Sequence, residues 1–162
     1  MPHKQCQLKQ FLTVIVTFGL IISWSACQQQ NKLREQLIGS WTNVDLKVSL
    51  NHHKVGDSAY QFEVPIGQWE AILNIKPILT DFRDDGSYRS EYRTLEDSLI
   101  REVEGKWQFE QDSLILKEAG TATLYHVEMM DTLVIFTGWL DWDQDGEADD
   151  LYTGRQSKVG FR

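Results

Sequence analysis

From Phe82 onward the sequence is interrupted by turn-forming residues at short intervals, and this spacing restricts the chain more than any other feature. Asp85-Gly86 separates Phe82 from Tyr88, and both residue types tolerate the positive φ values of tight hairpin turns. Glu110-Gln111-Asp112, Ala119-Gly120 and Met130-Asp131 follow. Between them the pattern predicts strands over 87–95, 100–109, 113–117, 121–129 and 132–140, with a last strand over 151–161 after an acidic loop. Upstream, residues 41–50 alternate apolar and polar from Val44 onward, as a half-buried strand does. Residues 60–64 read as a second strand, stopped by Pro65 and Gly67, and 69–82 carry a further apolar series bent at Pro77. Leu33 to Leu37 read as a helical turn before Gly39. Eight or nine short strands joined mostly to their sequence neighbours form a meander, which loses its exposed edges by closing into a small up-and-down β-barrel. A β-sandwich is the alternative all-β arrangement.

The first 26 residues have another origin. A polar start with Lys4 and Lys9 precedes an uncharged apolar run over 11–26. A helix of that length reaches only about 24 Å, short of the roughly 30 Å hydrocarbon layer, so the segment reads as a secretion signal rather than a span. Ser25-Ala26 directly before Cys27 resembles the lipobox of bacterial lipoproteins, although Trp24 stands where that family prefers Leu. The resemblance implies cleavage after residue 26, lipidation of Cys27 and attachment to a membrane through the acyl chains. Ordinary secretion with a free Cys27 is the alternative. Gln28 is not the Asp that retains lipoproteins at inner membranes, which favours the outer membrane. The expected division is therefore a signal over 1–26, a lipidated Cys and tether over 27–35, and a barrel domain over 36–162.

The two cysteines are Cys6 and Cys27, so loss of the signal leaves no pair for an intramolecular disulfide. The signal contains two of the 16 basic residues and none of the 24 acidic ones, so residues 27–162 carry a formal charge of −10. That balance argues against nucleic acid and against charge-driven binding to anionic lipid.

Gly39-Ser40-Trp41 at the start of the first strand resembles the Gly-X-Trp opening of lipocalins and of lipocalin-like domains in bacterial lipoproteins. Residues 85–88, 105–109 and 112–116 are similar to the hairpins of such domains. The resemblance implies that Trp41 plugs one end of the barrel under an arginine from near the last strand, with Arg155 and Arg162 the candidates by position. It also implies a mouth that binds a small apolar molecule. Trp41, Trp69, Trp107, Trp139 and Trp142 either line such a cavity or fill the core.

The densest chemistry lies in Asp141-Trp142-Asp143-Gln144-Asp145-Gly146-Glu147-Ala148-Asp149-Asp150. Carboxylates at alternate positions followed by Gly suit Ca²⁺, which takes six to eight oxygens. Tyr152 occupies the position where an EF-hand has its last Glu, and the flanks read as strands rather than helices, so an EF-hand is not expected. The D-x-D-x-D-G-x-x-D spacing instead resembles the calcium hairpins of integrin-type propeller repeats. By that resemblance Asp141, Asp143, Asp145 and Asp149 supply side-chain oxygens and Glu147 a backbone carbonyl. A solvated acidic loop without an ion is the alternative.

No nucleophile elbow, zinc-protease helix, Cys-x-x-Cys or phosphate-cradling loop is present. His52-His53 can chelate a metal only from a loop, because neighbours on a strand point to opposite faces. His126 reads as an ordinary strand residue. The expectation is therefore a non-enzyme. It is either a tethered binding module for a small apolar ligand, or a structural module with a filled barrel that meets another envelope protein.

Overall fold

A computed structural model describes residues 30–50 and 60–160. The signal, Cys27, the His52-His53 pair and Arg162 lie outside the described residues.

The strands are β1 (Gly39–Ser49), β2 (Gln61–Val64), β3 (Leu79–Phe82), β4 (Ser87–Arg93), β5 (Leu99–Glu110), β6 (Ser113–Glu118), β7 (Thr121–Met130), β8 (Leu133–Leu140) and β9 (Asp150–Lys158). From β3 to β9 each pairs antiparallel with the next, and β1 pairs with both β3 and β9. This closes an eight-stranded barrel, the architecture expected from the turn spacing. One edge of β1 is shared: residues 39–42 pair with β3, and 46–49 pair with β2. Opposite β9 the register of β1 shifts between Asn43 and Asp45, leaving Val44 as a bulge. The extra residue swaps the inward-facing set from Trp41 and Asn43 to Leu46 and Val48.

Residues 30–37 are helical (α1) and close the end of the barrel where β1 begins. Leu33, Leu37 and Ile38 pack on a cluster containing Trp41, Phe82, Trp107, Phe109 and Phe136. Gln30 Nε2 donates to the Phe109 carbonyl, so packed structure begins inside the stretch read as tether. A smaller cluster of Leu46, Val48, Leu50, Val64 and Trp69 lies toward the other end.

The series over 69–82 is not one strand. Trp69–Leu73 form a short helix, α2, which turns its buried Trp69 and partly buried Leu73, four residues apart, toward the second cluster. Asn74 ends it in the left-handed conformation at φ 55°. Only Leu79–Phe82 of that series joins the barrel.

Candidate functional site

Trp41 is fully buried, and its Nε1 donates to the Leu37 carbonyl at 2.7 Å. The cation over its ring is Lys158, with Nζ 5.2 Å from the ring centroid and donating to the Gln36 carbonyl. Arg155 does not take that part. It stands opposite Asp45 across the β1–β9 pair and grips both carboxylate oxygens, Nε donating at 2.9 and 2.8 Å. Strand alternation explains the difference: Gly154 and Gln156 occupy the inward positions, which turns Arg155 out and leaves a longer reach to Lys158 at the strand end. A second cation–π contact closes the same end, with Arg34 of α1 lying 4.8 Å from the Trp107 ring.

Above this packed floor the barrel interior opens into a cavity of about 160 Å³, lined across β1, β3, β4, β6, β7, β8 and β9. Its walls differ. Ser90, Thr80, Asn43 and Gln156 form a polar belt across the adjacent strands β4, β3, β1 and β9. Thr80 and Ser90 satisfy each other through a 2.9 Å hydrogen bond. Asn43 and Gln156 are register partners, and Asn43 Oδ1 and Gln156 Oε1 are buried without a hydrogen-bond donor among the described residues. The rest of the lining includes Leu116, Tyr125, Phe136 and Tyr152. Burial pushes the Tyr125 phenol up to about 12 and raises Tyr152 further, so both hydroxyls stay protonated at neutral pH. Ser90, Tyr92, Leu116 and Tyr125 also line a wider recess of about 420 Å³ toward the mouth, where Glu118 stands.

Tyrosines, not tryptophans, make this lining. Trp41, Trp69 and Trp107 are buried in the two clusters, while Trp139 and Trp142 are exposed. Sequence reasoning missed Tyr152 and the glycine that admits it: a Cβ on Gly154 would lie 2.0 Å from the Tyr152 hydroxyl oxygen.

The acidic loop joins β8 to β9 at the mouth end. It brings Asp141, Asp143 and Asp145 together, with one oxygen of each within 4.8 Å of the others. Backbone donors fold it: Asp145 N–H bonds Asp143, Gly146 N–H bonds Asp141 and Glu147 N–H bonds Asp145. Gly146 takes the positive φ of 100° that the turn requires. Glu147 and Asp149 are not in the three-carboxylate group. The organising residue, missed in the sequence, is Asp150. It is fully buried, and its Oδ2 accepts from the N–H groups of Trp142 at 2.9 Å and Asp143 at 3.3 Å. Three hard carboxylate donors at this spacing fit a divalent cation.

His126 is half exposed, near Asp112 and Glu128 at 3.8 and 3.9 Å, and faces away from the cavity. Neither a protein-family model nor a curated protein sequence matches this chain.

Proposed function

We propose that this protein is a lipid-anchored envelope lipoprotein, not an enzyme, whose lipocalin-like barrel holds one small molecule in its upper half. The observation that carries the reading is the interior cavity, lined by the rings of Tyr92, Tyr125, Phe136 and Tyr152 and by the polar residues Asn43, Thr80, Ser90 and Gln156. A barrel serving only as a packed core would leave no such space, because protein interiors are close-packed. The apolar tail of a ligand fits the wider recess at the mouth.

Calcium at Asp141, Asp143 and Asp145 acts as a staple between β8 and β9 in this reading. Cys27 tethers the end closed by α1, so the mouth and the acidic loop face away from the membrane, with the outer membrane the expected site. A second reading, a protein-interaction module, is favoured by one observation. Leu124 and Trp139 expose apolar surface on the outer wall of β7 and β8, next to the acidic loop.

Titration with the fluorescent amine N-phenyl-1-naphthylamine tests the binding function. Saturable one-to-one uptake that disappears in Leu116→Trp, which fills the cavity, supports it. Uptake that survives the filling, or no uptake, favours the interaction module. Cys27→Ser should move the protein from the membrane fraction to the soluble one; unchanged membrane retention would contradict the anchor.

A further inference from the structure

The 420 Å³ recess toward the mouth lies where the barrel wall parts. β5 pairs with β6 over residues 106–110 only, so among the described residues its mouth-side half, 99–105, is bonded to β4 alone. Strand alternation puts Arg101 on the same side of β5 as Val103, and Glu118 on the same side of β6 as Leu116. Val103 and Leu116 both line the recess. From the unpaired half of β5, Arg101 Nη2 reaches Glu118 Oε1 at 3.3 Å. Arg101 is also the register partner of Tyr92, and its guanidinium stands 5.7 Å from the centroid of that ring. A ring face and a carboxylate thus already hold one cation between them.

Glu118 is the one charged side chain in the lining among the described residues. It is 43% exposed, so the ion pair leaves it open to a second cation. Tyr92 and Tyr125 are half-buried beside it, and Tyr88 is buried. Burial raises the Tyr88 and Tyr92 phenols above their ordinary value, which keeps both uncharged at neutral pH.

We infer that this recess takes an amphipathic organic monocation, an ammonium on an apolar body, whose head replaces the Arg101 guanidinium between the Tyr92 ring and the Glu118 carboxylate. The body lies along Val103 and Leu116, and Leu116 is shared with the interior cavity. The inference rests on the carrier reading above and names its ligand class. Three physical points select that class. An exposed ion pair is weakly held, so Arg101 yields to a competing cation. A ring face attracts a positive charge and not a neutral group of the same shape. An anion would meet Glu118 as a like charge with no basic side chain in the lining. A divalent metal ion is poorly served, since a single carboxylate supplies few of the oxygens it takes.

The test uses three probes that share one body, titrated into the intact exported protein and read by ligand-observed NMR: phenethylammonium, phenethyl alcohol and hydrocinnamate. The expected result is phenethylammonium binding at least about tenfold tighter than the alcohol, with hydrocinnamate weakest. Glu118→Gln should remove that preference. Arg101→Gln should act in the opposite direction and tighten phenethylammonium binding, because the resident cation no longer competes. Both side chains are well exposed, and opposite effects on one probe cannot come from a shared loss of folding.

Equal or tighter binding of the alcohol or of hydrocinnamate overturns the cation inference and leaves a plain apolar carrier standing. So does failure of all three probes while N-phenyl-1-naphthylamine still binds. Failure of all three with no uptake of that dye overturns the carrier reading itself. An ammonium preference that persists in Glu118→Gln, or one that Arg101→Gln leaves unchanged or weakens, also overturns the inference.

Discussion

The Trp142 indole stacks on the Tyr152 ring, with centroids 6.1 Å apart and planes 23° from parallel. Trp142 sits between two members of the acidic group, Asp141 and Asp143, whereas Tyr152 lines the interior cavity. The ring of Phe62 on β2 also lies against Trp142, with centroids 6.0 Å apart. One side chain thus touches both β2 and the cavity wall from within the acidic loop.

Calcium should therefore be visible at Trp142. Titration should change tryptophan emission in the parent protein and not in Trp142→Phe, and it should raise the melting temperature of both. At a calcium concentration 100 times Kd the stabilisation is about 2.7 kcal/mol. Asp143→Asn should abolish most of that gain. An unchanged melting curve in millimolar calcium would assign the loop to the ion-free alternative.

Asp150 should matter more to stability than any exposed acid of the loop. Asp150→Ala leaves two backbone N–H groups without their charged acceptor, at a cost of about 2–3 kcal/mol read by chemical denaturation. Asp145→Ala, on an exposed residue, should cost well under half as much in calcium-free buffer.

Alkaline pH should unfold the barrel early. A phenol is neutral below its pKa, and burial raises Tyr125 to about 12 and Tyr152 further. Above pH about 10 the unfolded chain releases these protons while the folded one keeps them, so stability falls as pH rises. The slope is up to about 1.4 kcal/mol per pH unit for each tyrosine. Below pH about 9 neither contributes any dependence. Tyr125→Phe should flatten the alkaline limb in denaturation curves recorded from pH 8 to 12.

The two cations near Trp41 and Asp45 should separate in a denaturation series. Lys158→Met removes a cation–π contact and a donor to the Gln36 carbonyl, and should cost about 1 kcal/mol. Arg155→Met strands the mostly buried Asp45 carboxylate at the bulge and should cost more, about 1–3 kcal/mol. An unchanged stability in Lys158→Met would contradict the assignment of Lys158 as the residue over Trp41.

Much of the barrel is legible in the sequence, because hairpin turns are local chemistry. Asp85-Gly86, Ala119-Gly120 and the flanking alternation mark β4 to β8 to within a few residues. Trp41 is likewise legible as a buried plug beside α1. Trp69–Leu73 is not, since five apolar-rich residues fit a strand or a helical turn equally well until the second cluster selects the face. Arg155 and Lys158 cannot be told apart by position alone, because three residues along a strand reverse the face and only the β1 bulge sets the register. The Asn43–Gln156 pair spans most of the chain, and no local pattern announces it. In the loop, the alternating Asp residues are visible in sequence, but the burial of Asp150 depends on its place as the first residue of β9.

The most direct measurement is native mass spectrometry of the protein exported to a host envelope, released gently and held in calcium. A discrete organic mass bound one-to-one is the expected result, absent from Leu116→Trp, alongside the mass of one calcium ion. A polypeptide carrying no organic mass in either form would contradict the carrier function and leave the calcium-ordered interaction module in its place.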